Sequence, residues 1–185
     1  FINAGEISNG AVAVRVSLTG TDADEGDTLT INGTAIVLTA AQIAAGAGDT
    51  TVPAPTNGQT LSVNASLTDI AGNSSPITTV SVVIDTTPPG QPVLTVGNGD
   101  GFINSGEITN GQVAVSVSLN NTGAAVGDTL TVNGVQTVLT QAMITAGVVT
   151  TSVAAVGDGQ TLTVEASLTD PAGNSSTVST VTAEV

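Results

Sequence analysis

Two tandem antiparallel β-sandwiches are the architecture this sequence predicts, and three observations predict it. Apolar residues alternate with polar ones at a period of two, the signature of strands with one buried and one wet face. Turn residues recur about every ten positions, close to the spacing of a seven-strand sandwich. The whole pattern then repeats without a gap at an offset of 101 residues, Phe1 falling on Phe102. About 60% of the paired positions are identical.

The elements follow in order from these patterns. Val12, Val14, Val16 and Leu18 alternate with polar or small residues, as do Val113, Val115, Val117 and Leu119. Asn32-Gly33 and Asn133-Gly134 each sit between two β-rich runs and read as two-residue hairpins. Residues 40–45 and 141–146 fit a short helical turn, a connector and not a domain element. Leu162, Val164, Ala166 and Leu168 form a further alternating strand. The expected fold is all-β: two immunoglobulin-like sandwiches of about seven strands each, lettered A to G. The antibody hallmarks are missing, since the chain has no Cys and no Trp. The first repeat is expected over residues 1–85, truncated at its N-terminus, and the linker plus second repeat over 86–185. A chain that begins inside one loop and stops before the next linker is expected to be a segment of something periodic.

Composition restricts the chemistry. The chain has no His, Cys, Tyr or Trp, and a single basic residue, Arg15. Most general bases, covalent nucleophiles and transition-metal ligands are therefore lacking, and an enzyme is not expected. The net charge of −14 argues against nucleic acid and anionic membranes, which need basic patches. No apolar run reaches the length of a membrane span. What remains is oxygen: carboxylates, hydroxyls and amides. Those are the ligands of hard cations, and calcium is the expected cofactor.

Two sets of residues are candidates for holding it. In a seven-strand sandwich the A–B, C–D and E–F loops share the C-terminal pole, and the B–C, D–E and F–G loops share the N-terminal pole. The A–B loop of the second copy resembles a calcium loop of the EF-hand pattern. Asn98 stands at position 3, Asp100 at 5, Gly101 at 6, the carbonyl of Phe102 at 7 and Glu107 at 12, with Asn104 between the last two. Position 1 is Val96, where a carboxylate is expected, and Asp158 of the E–F loop is a candidate replacement. The first copy keeps Asn3 and Glu6 of this loop. The second set flanks the linker Thr86-Thr87-Pro88-Pro89-Gly90, whose prolines make it short and semi-rigid. Asp85 precedes it, and Asp128, Asp170 and Asn174 come from the B–C and F–G loops of the second copy. Asp69 is the first copy's equivalent of Asp170. A calcium held by Asp85 and Asp170 is the expected fastening between repeats. Turn chemistry is the alternative for Asp170 and Asn174, because both residue types bond their own backbones.

These motifs together resemble a known family. Asp85-Thr86-Thr87-Pro88-Pro89, Asp100-Gly101-Phe102-Ile103-Asn104 with Gly106-Glu107, and Leu168-Thr169-Asp170 with Ala172-Gly173-Asn174 look like bacterial Ig-like extender repeats of giant RTX adhesins. The resemblance covers the whole chain. It implies type I secretion, an extracellular place on a bacterial surface and a role in biofilm or surface attachment. It also implies a calcium-stiffened stalk that projects adhesive domains. The expected partners are neighbouring repeats of the same chain, with no small-molecule substrate and a monomeric state. Two other readings stay open. Outward threonines such as Thr161, Thr163, Thr180 and Thr182 suit an ice- or polysaccharide-binding module, and an accessory Ig-like module of a secreted enzyme has the same features.

Overall fold

The computed structural model describes residues 1–185, which form two compact units, Phe1–Thr86 and Thr87–Val185. Thr86 ends the first unit, its backbone N–H donating to Asn57 Oδ1 at 2.7 Å.

Unit 1 opens with a 3₁₀ turn at Ala4–Glu6, then runs β1 (Ile7–Ser8), β2 (Ala11–Ser17), β3 (Thr28–Ile31) and β4 (Thr34–Val37). A short helix α1 (Ala40–Ala45) leads to β5 (Ala47–Pro53), β6 (Thr60–Thr68) and β7 (Thr78–Val83). Unit 2 contains β8 (Val93–Val96), β9 (Ile108–Thr109), β10 (Gln112–Ser118), β11 (Thr129–Val132) and β12 (Val135–Val138). It continues with α2 (Gln141–Ala146), β13 (Val148–Ala154), β14 (Thr161–Thr169) and β15 (Ser179–Glu184).

Each unit is a sandwich of two antiparallel sheets. In unit 2 they are β13-β10-β8, with β9 also on β10, and β12-β11-β14-β15. In unit 1 they are β1-β2-β5 and β4-β3-β6-β7. Strands β8, β10, β11, β12, β13, β14 and β15 are the expected A to G. The short β9 is additional, and its counterpart in unit 1 is β1. Both are closed by Asn-Gly turns, in which Asn110 and Gly111 have φ of 52° and 73°. Such φ values at both turn residues are tolerated best by Asn and Gly, so this pair is a hairpin signal at Asn9-Gly10 and Asn110-Gly111 that the strand pattern alone does not draw out.

The two expected hairpins form as read. Ile31 pairs with Thr34 and Val132 with Val135 across Asn32-Gly33 and Asn133-Gly134. Both Asn side chains also reach across the sheet, Asn133 Oδ1 accepting from the Glu165 N–H at 2.8 Å and Asn32 Oδ1 from Asn64 at 2.8 Å. The helical connectors form too. Thr39 and Gln42 make a capping box at the start of α1, and Gly46 ends it in the left-handed region at φ 63°.

Neither core contains an aromatic ring. Unit 2 is filled by Val113, Val115 and Val117 of β10 against Leu130, Val164, Leu168 and Leu139, all buried. Unit 1 is filled by Leu29, Ile31, Leu38, Leu61 and Ile84. Phe1 and Phe102, the only aromatic side chains, are exposed. The loops sort by pole as topology requires. At one end of unit 2 the A–B loop meets the end of β15, where Ile103 donates to the Glu184 carbonyl at 2.7 Å and Glu184 to that of Gly101 at 2.9 Å. The E–F loop joins them through Gly159 N–H to the Val185 carbonyl at 2.6 Å.

Equivalent core positions are not equally buried in the two units, and mutation should report it. Leu168→Ala is expected to cost unit 2 about 2–5 kcal/mol, because Leu168 is fully buried. Leu67→Ala should cost unit 1 less, because Leu67 is only half-buried. Hydrogen exchange of each unit in denaturant measures both, and equal losses would contradict this packing.

Candidate cation-binding loops

The A–B loop of unit 2 gathers five of the predicted residues, Asn98, Asp100, Phe102, Asn104 and Glu107, around a shared set of hydrogen bonds. Glu107 Oε1 accepts from the Asn98 N–H at 2.8 Å. Its Oε2 accepts from the N–H of Asn104 at 3.0 Å and from Asn104 Nδ2. Asp100 Oδ1 accepts from the Phe102 N–H at 2.9 Å, and Oδ2 from Asn98 Nδ2 at 3.0 Å. Asn98 Oδ1 in turn accepts from the Asp100 N–H at 2.9 Å. Asn98 thus touches both carboxylates and holds the two ends of the loop together.

Glycine permits this closure. Gly97 has φ 56°, and a Cβ there would lie 2.5 Å from Glu107 Oε1 and 3.0 Å from Ile103 Cδ1. The carboxylate occupies the space a side chain would need. Gly99 and Gly101, at φ 84° and 90°, complete a backbone path that an L side chain rarely follows. Val96, at the missing first position, is a core residue of β8 with 3% of its surface exposed. Its side chain serves packing, so any ligand at that position must come from elsewhere. Asp158 is exposed in the E–F loop at the same pole.

The donor set is two carboxylates, two amide oxygens and nearby carbonyls, all oxygen. That chemistry fits a hard cation and no softer one. Each ionised carboxylate offers about four lone-pair sites, so the intraloop bonds leave acceptor capacity over. No three carboxylate, imidazole or thiol groups converge anywhere in the chain, so a cation here would draw on amides and carbonyls.

Unit 1 holds the second half of the same loop. Glu6 Oε2 accepts from the Asn3 N–H at 2.9 Å, and Asn3 Oδ1 from Gly5 at 2.8 Å. These repeat the Asn104–Glu107 contacts. Asp85 sits at that same pole, its N–H donating to the Ile2 carbonyl at 2.9 Å.

The other predicted residues are engaged in turns. Asp170 Oδ1 and Oδ2 accept from the backbone and side-chain amides of Asn174 at 2.8 and 2.9 Å. Asp69 does the same with Asn73 at 2.7 and 2.8 Å. Asp128 is 3% exposed and its Oδ2 accepts from the Ala125 N–H at 2.9 Å, closing the B–C turn. Asp27 makes the equivalent bond to Asp24 in unit 1. The B–C and F–G turns of unit 2 lie together, with Pro171 3.8 Å from where a Gly127 Cβ would stand. Glu184, adjacent through its backbone to Gly101 and Ile103, is an acidic neighbour of the A–B loop that spacing within the loop could not reveal.

Comparison with known proteins finds a family model that matches part of the chain. Residues 11–86 match the model of the bacterial Ig-like domain. A solved structure described as a Ca²⁺-stabilised adhesin that helps an Antarctic bacterium reach out and bind ice is 29% identical over 99% of this chain, with a TM-score of 0.45. A second, from a 1.5-MDa bacterial ice-binding adhesin, is 28% identical over 99% of this chain, with a TM-score of 0.43. The chain spans only 45% and 59% of those two proteins' lengths. The fibronectin(III)-like modules of Clostridium thermocellum CbhA align over 100% of this chain and 87% of their own at 13% identity and a TM-score of 0.59, a likeness of fold. A search of curated proteins finds no match. No helix of the Ig-like units is long and apolar enough to cross a membrane.

Two measurements test the loop. Asp100 is held below the ordinary carboxylate range, first by the Phe102 N–H and then by the Asn98 amide. Asp69 is held low chiefly by the Asn73 side-chain amide and then by its backbone N–H. A lowered carboxylate contributes stability that is complete above its unfolded value and is lost as pH falls through the lowered one. NMR titration is expected to find both groups titrating below ordinary Asp, with Asn73→Ala returning Asp69 toward it. Separately, Gly97→Ala should cost about 1 kcal/mol or more through its positive φ and expose the Asn98 and Asn104 amides to exchange by displacing Glu107. Unchanged protection would contradict the contact.

Proposed function

We propose that the chain is a spacer segment of a large bacterial surface adhesin, whose acidic loops take calcium outside the cell and so stiffen successive repeats. Its role is to hold adhesive domains at a distance from the surface. The observation that supports this best is the doubling. One sandwich occurs twice with Glu6, Asp27 and Asp69 repeated as Glu107, Asp128 and Asp170, and neither copy adds a His, a Cys or an aromatic platform. A binder or catalyst gains little from such repetition, whereas a stalk lengthens with each copy.

The calcium half of the reading rests on the Asn98–Glu107 loop. Two carboxylates and two amide oxygens are drawn together there in a chain whose charge of −14 is opposed by one Arg. That Arg15 already pairs with Asp49 at 3.1 Å on the exposed face of β2 and β5. Cations from solution would relieve the remaining repulsion. Asp85, Asp128, Asp170 and Asn174 belong to the same proposal as further ligands.

Thermal unfolding in calcium and in chelator is the test. A site whose dissociation constant lies ten- to a hundredfold below the free calcium adds about 1.4–2.7 kcal/mol. The melting temperature is therefore expected to rise with calcium. Asp100→Asn combined with Glu107→Gln should remove the increment belonging to unit 2. Small-angle scattering should show a longer, stiffer chain with calcium than without. A melting temperature indifferent to calcium would sink the mechanism.

A further inference from the structure

Asn-Gly pairs occur at Asn9, Asn32, Asn57, Asn98, Asn110 and Asn133. Glycine has no Cβ to hinder approach, so in this dipeptide the Gly nitrogen can attack the side-chain amide carbon of the Asn before it. Glycine follows in every case, which leaves the fold to decide which pair reacts.

Four of the pairs are held. Asn133 Oδ1 accepts from the Glu165 N–H at 2.8 Å while its Nδ2 donates to the Thr163 carbonyl at 3.3 Å. Asn32 makes the same two bonds to Asn64 and Ser62, at 2.8 and 3.2 Å. Both ends of each amide are thus committed to the neighbouring strand. Asn57 Oδ1 accepts from the Thr86 N–H at 2.7 Å, and the Gly58 nitrogen is itself engaged, donating to the Ile84 carbonyl at 2.8 Å. Asn98 is bonded to Asp100 within the acidic loop, and the Gly99 N–H donates to the Val96 carbonyl at 3.0 Å.

Asn110 and Asn9 differ from these. Both are exposed, and their side-chain amides make no hydrogen bond. The Gly111 and Gly10 carbonyls, not their N–H groups, are engaged, accepting from Ala155 and Ala54 at 2.9 Å. Backbone shape does not account for the contrast, since φ is 52° at Asn110 and 45° at Asn133. Anchorage of the side chain and length of the hairpin do. β9 pairs with β10 only through Thr109 with Gln112 and Ile108 with Val113, whereas all of Thr129 to Val132 in β11 pairs with β12. Ring closure requires the turn to leave its resting shape, and the shorter hairpin opens at lower cost.

We propose that Asn110, with Asn9 as its equivalent, is a site of spontaneous deamidation, a covalent self-modification whose only co-reactant is water. The Gly111 nitrogen gives up its proton and bonds to Asn110 Cγ. The Cγ–Nδ2 bond breaks, ammonia leaves with that proton, and a five-membered succinimide closes. Water then opens either ring carbonyl and leaves an aspartyl or isoaspartyl residue at position 110. One water is taken up, one ammonia is released, and nothing is oxidised or reduced. The product gains a carboxylate. Its isoaspartyl form also lengthens the backbone ahead of Gly111 by one carbon, which displaces the carbonyl that receives the Ala155 N–H. Because β9 follows directly on Glu107, the change falls where the acidic loop rejoins the sheet. None of this depends on a bound cation.

Peptide mass spectrometry of the full chain, aged at mildly alkaline pH with and without denaturant, is the test. In the folded chain the gain of one mass unit is expected at Asn110 and Asn9 about tenfold or more faster than at Asn133 and Asn32, the worth of the two hydrogen bonds that hold each of the latter. In denaturant the spread should collapse. An isoaspartyl-specific methyltransferase should label position 110 of the aged chain, and the Ala155 amide of that fraction should exchange faster. No gain at Asn110, or equal rates at every pair in the folded chain, overturns the assignment. So does a folded-state order led by Asn133 or Asn98. The same ranking in denaturant overturns it as well, since neighbouring sequence and not the fold would then set the rates.

Discussion

With no aromatic ring in either core, each sandwich is held by Val, Leu, Ile and Ala surface alone, and that surface has to be closed on every side. An aliphatic residue that is fully buried contributes about 1.5–3 kcal/mol, so a core of small side chains depends on how completely each is covered. Strand β8 illustrates the dependence. It adds only Leu94 and Val96 to the interior, yet Val115, Val117, Val164, Ala166 and Leu168 all reach near-complete burial beneath it. Covering the core and completing the sheet are here one event, performed by one four-residue strand.

The polar half of the molecule obeys a parallel constraint. Long, glycine-rich loops expose backbone amides that no sheet satisfies, and the acidic and amide side chains answer them locally. Asp69 with Asn73, Asp170 with Asn174, Asp27 with Asp24 and Asp128 with Ala125 each close a turn in this way. No buried polar side-chain atom is left without a partner. The carboxylates predicted as ligands are therefore also structural, and the two roles are compatible, because an ionised carboxylate accepts more bonds than one amide can supply. The same N–H donors that hold Asp100 low in pKa favour its ionised form.

The fold was largely legible because period-two alternation and Asn-Gly pairs are local signals of local geometry. Val113 to Leu119 and Leu162 to Leu168 form strands with the expected residues inward, and the helical connectors cover residues 40–45 and 141–146 as read. What alternation could not express was β1 and β9, two residues long and therefore without a period. The A–B loop was legible as a cluster of carboxylates and amides because its residues lie within one short segment. The fate of Val96 was not, since whether a residue serves the loop or the core depends on where a strand ends. Glu184 was equally hidden, because its nearness to Gly101 arises from pairing between distant parts of the chain.

These constraints meet in one segment. β8 supplies the inner residues Leu94 and Val96, and the residues that follow it, Gly97 to Gly101, supply Asn98 and Asp100. Asn104 and Glu107 come from beyond it. In unit 1 Asn3 and Glu6 make the bond that Asn104 and Glu107 make in unit 2. One segment therefore serves the core through Leu94 and Val96 and the closure of the acidic loop through Asn98 and Asp100, so a change in where β8 ends alters both.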